Sequence, residues 1–409
     1  MQTLYSGARV FLPGGTLEGG LALLVEGGRI ARIAPAAEFE GFTGKTVALE
    51  DATILPGLMD AHVHLVYGGE ANPSAVVQNL SPAQIAIKAY LNARTSLAGG
   101  ITTVRDCGGK DYIEFAVRDA CNRGDLLGPN ILAAGRMICM TGGHGNKHGR
   151  IADGCDEVIK AVREQVHAGC DLIKIMATGG VMTPGVNPED AHYTEDELRA
   201  GIAEGHRFHK HSASHAQGGE GILNAVRAGV DSIEHGIFLT QEGLEAMLER
   251  GTRLVPTLSA VNNILRHADQ GIPAYAVEKS RRVAERHRQS IAMFYKAGGK
   301  LVMGTDAGTP FNFHGANTRE LADMVEIGIA PSDAVIAATE NAADLFGMAD
   351  RGRLAEGAHA DLLVVSGDPL ADITRVADKD NHLMVVKNGI VAHARHHGAG
   401  ELVQPLAAL

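Results

Sequence analysis

The segment LPGLMDAHVHL, residues 55–65, sets His62 and His64 two positions apart. Side chains alternate along a strand, so both imidazoles fall on one face and can share a metal through their neutral nitrogens. In a chain with 19 histidines the same pair can also arise by chance. Asp60 either orients one of these imidazoles or simply belongs to the turn. In CDLIKIMATGG, Lys174 interrupts an apolar strand. A buried ammonium is costly, so such a lysine is paired, deprotonated or modified. A neutral amine can take up carbon dioxide, and the resulting carbamate can bridge two metals; a structural salt bridge to an aspartate is the simpler account.

His215 in SASHAQGG and His235 in VDSIEHG each end a short strand just before a loop. One such histidine is ordinarily a satisfied core or turn residue, but two on successive strands are harder to dismiss. In KLVMGTDAGTP, Asp306 closes an apolar strand before a glycine turn. A carboxylate there can bind a metal and exchange a proton with a bound hydroxide, or serve as a helix cap. His206, His209, His211 and the cluster of His393, His396 and His397 read as surface residues.

These positions need a scaffold that sets strand ends side by side. Strands such as TTVRD, ILAAG, LIKIMA, SIEHG and LVMGTD alternate with amphipathic helical stretches, among them 195–210 and 217–229. That alternation implies a parallel sheet, and its length fits a (β/α)8 TIM barrel of about 250 residues plus insertions, whose active site lies at the C-terminal strand ends. A doubly wound open sheet is the other option, although no glycine-rich phosphate fingerprint supports it. Both chain ends (ALLVEGGRIARI and ADLLVV, for example) have the texture of a β-meander. Residues 1–56 and 352–409 are therefore expected to form one small β-sandwich, with the barrel over 57–351.

The formal charge of −11 and the absence of a Lys/Arg run argue against a nucleic-acid surface. No window approaches a membrane span and no leader is evident, so the sequence reads as cytoplasmic. Cys107, Cys121, Cys139, Cys155 and Cys170 are odd in number and lack a CxxC, the pattern of free thiols. Cys107 and Cys139 read as core residues, and no G-x-S-x-G elbow supports a nucleophilic serine.

Taken in order, HxH, Lys, His, His and Asp on successive strands resemble the amidohydrolase superfamily, in the branch related to imidazolonepropionase that includes metal-dependent prolidases and Xaa-Arg or Xaa-Lys dipeptidases. PGLMDAHVH, GGITTVRDCGG, TGGHG, DLIKIMATGGV, GVDSIEHG, GTDAG and GRLAEGAHADLLVV carry the likeness over essentially the whole chain. The resemblance implies two divalent metal ions, with zinc the expected metal. His62, His64 and Asp306 would hold one and His215 and His235 the other, with carboxylated Lys174 as the bridging ligand. It also implies a hydroxide between metals roughly 3.5–4 Å apart, Asp306 as proton carrier, and His144 in TGGHGN polarising the scissile carbonyl. Lys174 favours this binuclear branch over single-metal deaminases. Many relatives have Tyr or His where Gln217 stands, a departure at a position that the resemblance places near the substrate. Tyr193, in PGVNPEDAHYT, is expected near the same mouth.

The expected activity is hydrolysis of an amide C–N bond in a small-molecule substrate, a dipeptide or N-acyl amino acid, by a homo-oligomer. Hydrolysis of a non-peptide amide, carbamate, urea or cyclic amide is the alternative, followed by mononuclear deamination and, last, a non-catalytic scaffold.

Overall fold

The computed structural model describes residues 2–394, so His396 and His397 lie outside the described residues. Near the N-terminus, Leu21–Glu26 and Arg29–Pro35 mix buried with partly or fully exposed positions, as a half-buried strand pair does. Gly27 (φ 57°) and Gly28 (φ 81°) make the tight turn between them, in the left-handed region that glycine enters without steric cost. With Gln2–Ser6 and Lys45–Ala48 they form a four-stranded sheet. A six-stranded sheet unites the two halves of the terminal sequence. In it Ala52–Pro56 runs antiparallel to Leu362–Ser366 and parallel to Arg9–Leu12. Tyr5, Leu23 and Ile30 of the first sheet share an apolar cluster with Ile54, Leu362 and Val386 of the second.

The intervening chain has parallel strands and helices. One sheet orders Asn130–Ala133, Ile101–Asp106 and Leu58–Val63; a second contains Leu172–Met176, His211–Ala216, Ser232–His235 and Arg253–Val255 as consecutive neighbours. Backbone hydrogen bonds join their edges. Asp171 N donates to Ala133 O at 2.9 Å on one side. On the other, residues 301–307 bridge the sheets: Val302 N donates to Leu254 O (3.0 Å), Ala61 N to Met303 O (2.8 Å) and Asp306 N to His62 O (2.7 Å). Leu58–Val63, Ile101–Asp106, Leu172–Met176 and Ser232–His235 are buried along their whole length, as strands covered on both faces must be.

The helical stretch expected over 195–210 is Glu195–Arg207, opened by a reciprocal Thr194–Glu197 capping box. It stops short because His209 turns into the left-handed region (φ 57°) and His211 already begins the next strand. His206, His209 and His211 are exposed, and Cys107 and Cys139 are buried, as read from the sequence. Among the described residues no helix is long and apolar enough to cross a membrane.

Two buried histidines give the fold an acid limit. His287 is within hydrogen-bond distance of Pro256 O (2.7 Å) and His314 of Tyr67 O (3.0 Å) through Nε2. Burial pushes each down to about 4. The folded state therefore holds them neutral, while the unfolded chain protonates near 6.5, so the unfolded state binds more protons below that value. Stability is expected to be complete above pH about 6.5 and to fall towards pH 4, by about 3 kcal/mol for each histidine. Denaturant unfolding at pH 7 and 5 checks this: His287→Gln should reduce the loss, and an unchanged loss contradicts the assignment.

Candidate metal centre and active site

Asp60 does not touch an imidazole. Its Oδ1 accepts from His62 N (3.0 Å) and Thr305 N (3.1 Å), and its Oδ2 from Thr305 Oγ1 (2.6 Å) and Asn317 Nδ2 (2.7 Å). It ties the end of the His62 strand to the segment carrying Asp306, and burial pushes its carboxyl up to about 6. His62 Nε2 and His64 Nε2 then lie 3.6 and 3.3 Å from Asp306 Oδ1. The His62 ring centroid is 5.4 Å from that of His64 and 5.2 Å from that of His235; His235 is 4.5 Å from His215. Ligand atoms of His62, His235 and Asp306 lie within 4.8 Å of one another.

Hydrogen bonds on the outer nitrogens decide what each histidine offers the centre. His64 Nδ1 is 2.7 Å from Gly108 O, and His215 Nε2 is 2.9 Å from Gly179 O. A carbonyl only accepts, so those nitrogens carry hydrogen, and in the neutral ring the other nitrogen is bare. His62 Nδ1 meets Glu234 Oε2 at 2.8 Å, a carboxylate held by Arg105 Nη2 (2.8 Å) and Ser232 Oγ (2.6 Å). His235 Nδ1 is 2.6 Å from Thr257 Oγ1, whose own hydrogen goes to Pro256 O at 2.7 Å, so the histidine must donate. Each ring is thereby oriented by a partner behind it, the support that metal-ligating histidines need.

Burial is the main cause that keeps His62, His215 and His235 neutral, His62 at about 4 and the other two well below the usual range. His64 differs: burial is the largest single influence and opposes its charge, but Asp306, Asp106 and the Gly108 carbonyl together raise it. For Asp306, burial favours the neutral acid, yet the surrounding histidines, His62 first, hold it far below the carboxylate range. The centre thus sets a carboxylate, its Oδ1 buried without a hydrogen-bond partner, among imidazole nitrogens, a setting that a cation would satisfy. His235 (φ 73°), Thr257 (φ 52°) and Asp306 (φ 60°) all sit in the left-handed region. Such strain is uncommon outside glycine and collects at functional sites.

Lys174 is buried, and its Nζ has no hydrogen-bond partner. The salt bridge that would explain it is absent among the described residues; a buried ion pair instead joins Arg105 and Glu234, which stand on strands of the two different parallel sheets. Lys174 joins His62, His64, His215, His235 and Asp306 in the wall of one cavity of about 250 Å3. The orphaned amine among bare imidazole nitrogens and one carboxylate fits a divalent-metal site with a modified lysine.

His144 also faces this cavity, its ring 4.4 Å from that of His215 and its Nδ1 2.8 Å from Thr183 Oγ1. Burial lowers it to about 3, so it is a neutral imidazole. Gln217 lines the same space, with Oε1 buried and unpartnered. Tyr193 does not reach the mouth. It is 2% exposed in the main core, and its hydroxyl donates to Ala152 O at 2.7 Å. It immediately precedes the cap of the Glu195–Arg207 helix and packs inward, away from the cavity. Sequence reading missed Glu234 and Arg105, although each, like Lys174, is a charge inside a strand of the barrel pattern, and all three strands are buried along their length.

The sequence model of the amidohydrolase family matches residues 53–391. Ochratoxinase from Aspergillus niger is 31% identical over 351 residues, covering 78% of this chain and 71% of its own. The structure of a Xaa-Pro dipeptidase with methionine bound in its active site superposes with a TM-score of 0.88 at 31% identity, covering 96% of this chain and 99% of that one. A prolidase complexed with N-methylphosphonate-L-proline gives 0.87 at 29% identity, covering 97% and 100%. The chain belongs to the amidohydrolase family and is a hydrolase acting on C–N bonds.

Proposed function

We propose that the chain cleaves the amide bond of a dipeptide or N-acyl amino acid at two divalent metals, zinc in the first instance, joined by a carboxylated Lys174. The observation that carries this reading is the buried, unpartnered Lys174 amine among four histidines whose outer nitrogens are already engaged. His62, His64 and Asp306 would hold one metal, His215 and His235 the other. When bound, the metals supply an acidified water and a Lewis acid for the carbonyl. Asp306 takes the proton of the attacking water and passes it to the leaving nitrogen. Neutral His144 donates a hydrogen bond to the carbonyl oxygen as charge develops there. Glu234, backed by Arg105, holds His62 in its tautomer.

The seven parallel strands, with the bridging segment 301–307 in the place of an eighth, fit a closed (β/α)8 barrel over 57–351, supported by the backbone hydrogen bonds at both sheet edges. The shared core of the two terminal sheets supports, over the described residues 2–56 and 352–394, the sandwich proposed for the two chain ends.

Asp306 is the only carboxylate among the described residues lining the cavity. Once it serves the metals, none is left to receive an arginine or lysine side chain. Met137, Met176, Met182, Val261 and Ile264 instead offer an adaptable apolar wall. Exposed Lys147 at the rim is the cation for a substrate carboxylate. Apolar Xaa-Pro, Xaa-Leu or N-acyl substrates follow. The same wall favours, as a second reading, a bulky non-peptide amide, consistent with the ochratoxinase likeness. A screen of Xaa-Pro, Xaa-Arg, N-acyl amino acid, aryl amide and urea substrates is expected to give kcat/KM above about 10^4 M−1 s−1 for apolar members of the first classes. Turnover confined to deamination or ring opening contradicts the proposal.

A further inference from the structure

Residues 179–190 follow the Lys174 strand and lie directly on the candidate chemistry. Gly179 O accepts from His215 Nε2, and Thr183 Oγ1 is 2.8 Å from His144 Nδ1. At Gly180 the backbone approaches so closely that an added Cβ would lie 2.6 Å from His144 Nε2. The loop belongs to no helix or strand, although an isolated bridge pairs Thr178 with Ala191 at its base.

Its outer side is held by one face of the helix Ala274–Lys296. Tyr275, Lys279 and Arg282 recur there at helical spacing. Tyr275 Oη donates to Met182 O at 3.2 Å, and Arg282 pairs with Glu189 at 2.8 Å. Half-buried Lys279 makes no salt bridge among the described residues. Its ammonium donates to three loop carbonyls: Thr183 O at 2.7 Å, Val186 O at 2.5 Å and, more weakly, Gly180 O at 3.4 Å.

We infer that Lys279 is a positioning residue: by gathering the carbonyls of Gly180, Thr183 and Val186 it fixes Thr183 and, through it, the His144 imidazole over the cavity. Lys279 is not part of the cavity wall, so its effect must pass through the loop. Three donors on one compact charge suit carbonyls that converge from different directions. Without them, aligned carbonyls repel one another and the loop regains conformations that must be lost again at each turnover. The inference rests on the proposed role of His144 at the scissile carbonyl, where small displacements are costly.

The test uses the metal-loaded enzyme and the best substrate of the amide screen. Lys279→Met is expected to lower kcat about 100-fold with KM changed less than about 3-fold, at parental metal content and melting temperature. Hydrogen exchange across residues 179–187 should accelerate, and Lys279→Arg should recover about tenfold of the lost rate. Thr183→Val cuts the link to His144 without touching Lys279 and should reproduce the kcat loss. The double variant should be no slower than the slower single one, because both break one path. Parental kcat in a folded Lys279→Met enzyme overturns the inference, as do fully multiplicative losses in the double variant. If Lys279→Met fails to fold, Thr183→Val with parental kcat overturns it. If the parent turns over none of the amides, the proposed function fails, and unchanged exchange in the loop of Lys279→Met then overturns the positioning role separately.

Discussion

Asp306→Asn is expected to lower kcat about a thousandfold while leaving the fold intact and retaining much of the bound metal. The side chain is nearly isosteric, and asparagine is among the few residues that tolerate the φ of 60° found there. Its amide oxygen can still face the nitrogens of His62 and His64, which now lie 3.6 and 3.3 Å from Asp306 Oδ1. What it cannot do is accept the proton of the attacking water and return it to the leaving nitrogen, a role that typically accounts for 10^2–10^4 in rate. Steady-state kinetics beside metal analysis separates the two functions. Normal turnover removes Asp306 from proton transfer, whereas complete loss of metal makes it chiefly a ligand.

Replacing Lys174 should have the opposite signature. Its amine is buried and unpartnered, an arrangement that costs stability unless something else binds it. Lys174→Met keeps most of the volume and removes the polar atom. The metal-free variant should therefore be at least as stable as the metal-free parent, while activity falls by about 10^3-fold or more because the bridging carboxylate is lost. Lys174→Ala leaves a gap in place of the side chain, and added formate or acetate should restore part of its activity by supplying a carboxylate. Activity near the parental level in Lys174→Met would show that the amine is structural.

Much of this centre was legible because its residues break the patterns around them. HxH on a strand, a lysine inside LIKIM, and His or Asp at strand ends each stand out against apolar neighbours, and the alternation of strands and helices implied that those ends meet. The outward nitrogens are a different matter. Gly108 O, Gly179 O and Thr257 Oγ1 orient three of the histidines from loops or neighbouring strand ends, contacts between distant residues that no local pattern encodes. Glu234 could have been found, since a glutamate beside His235 in a short strand expected to be buried raises the same question as Lys174. Tyr193 shows the limit of placing a loop residue by proximity in sequence: it lies near the mouth along the chain, yet its ring turns inward to Ala152. The terminal sheets were readable as meanders, but the pairing of Ala52–Pro56 with Leu362–Ser366 joins residues some three hundred positions apart, and only shared burial specifies it.

The most direct test is the metal content of protein grown with zinc and bicarbonate, measured beside Lys174→Ala. About two metals per chain in the parent, falling sharply in the variant, is the predicted result for a bridged pair. One metal per chain in both proteins would contradict it and turn the search towards single-metal deaminase and cyclic-amide substrates.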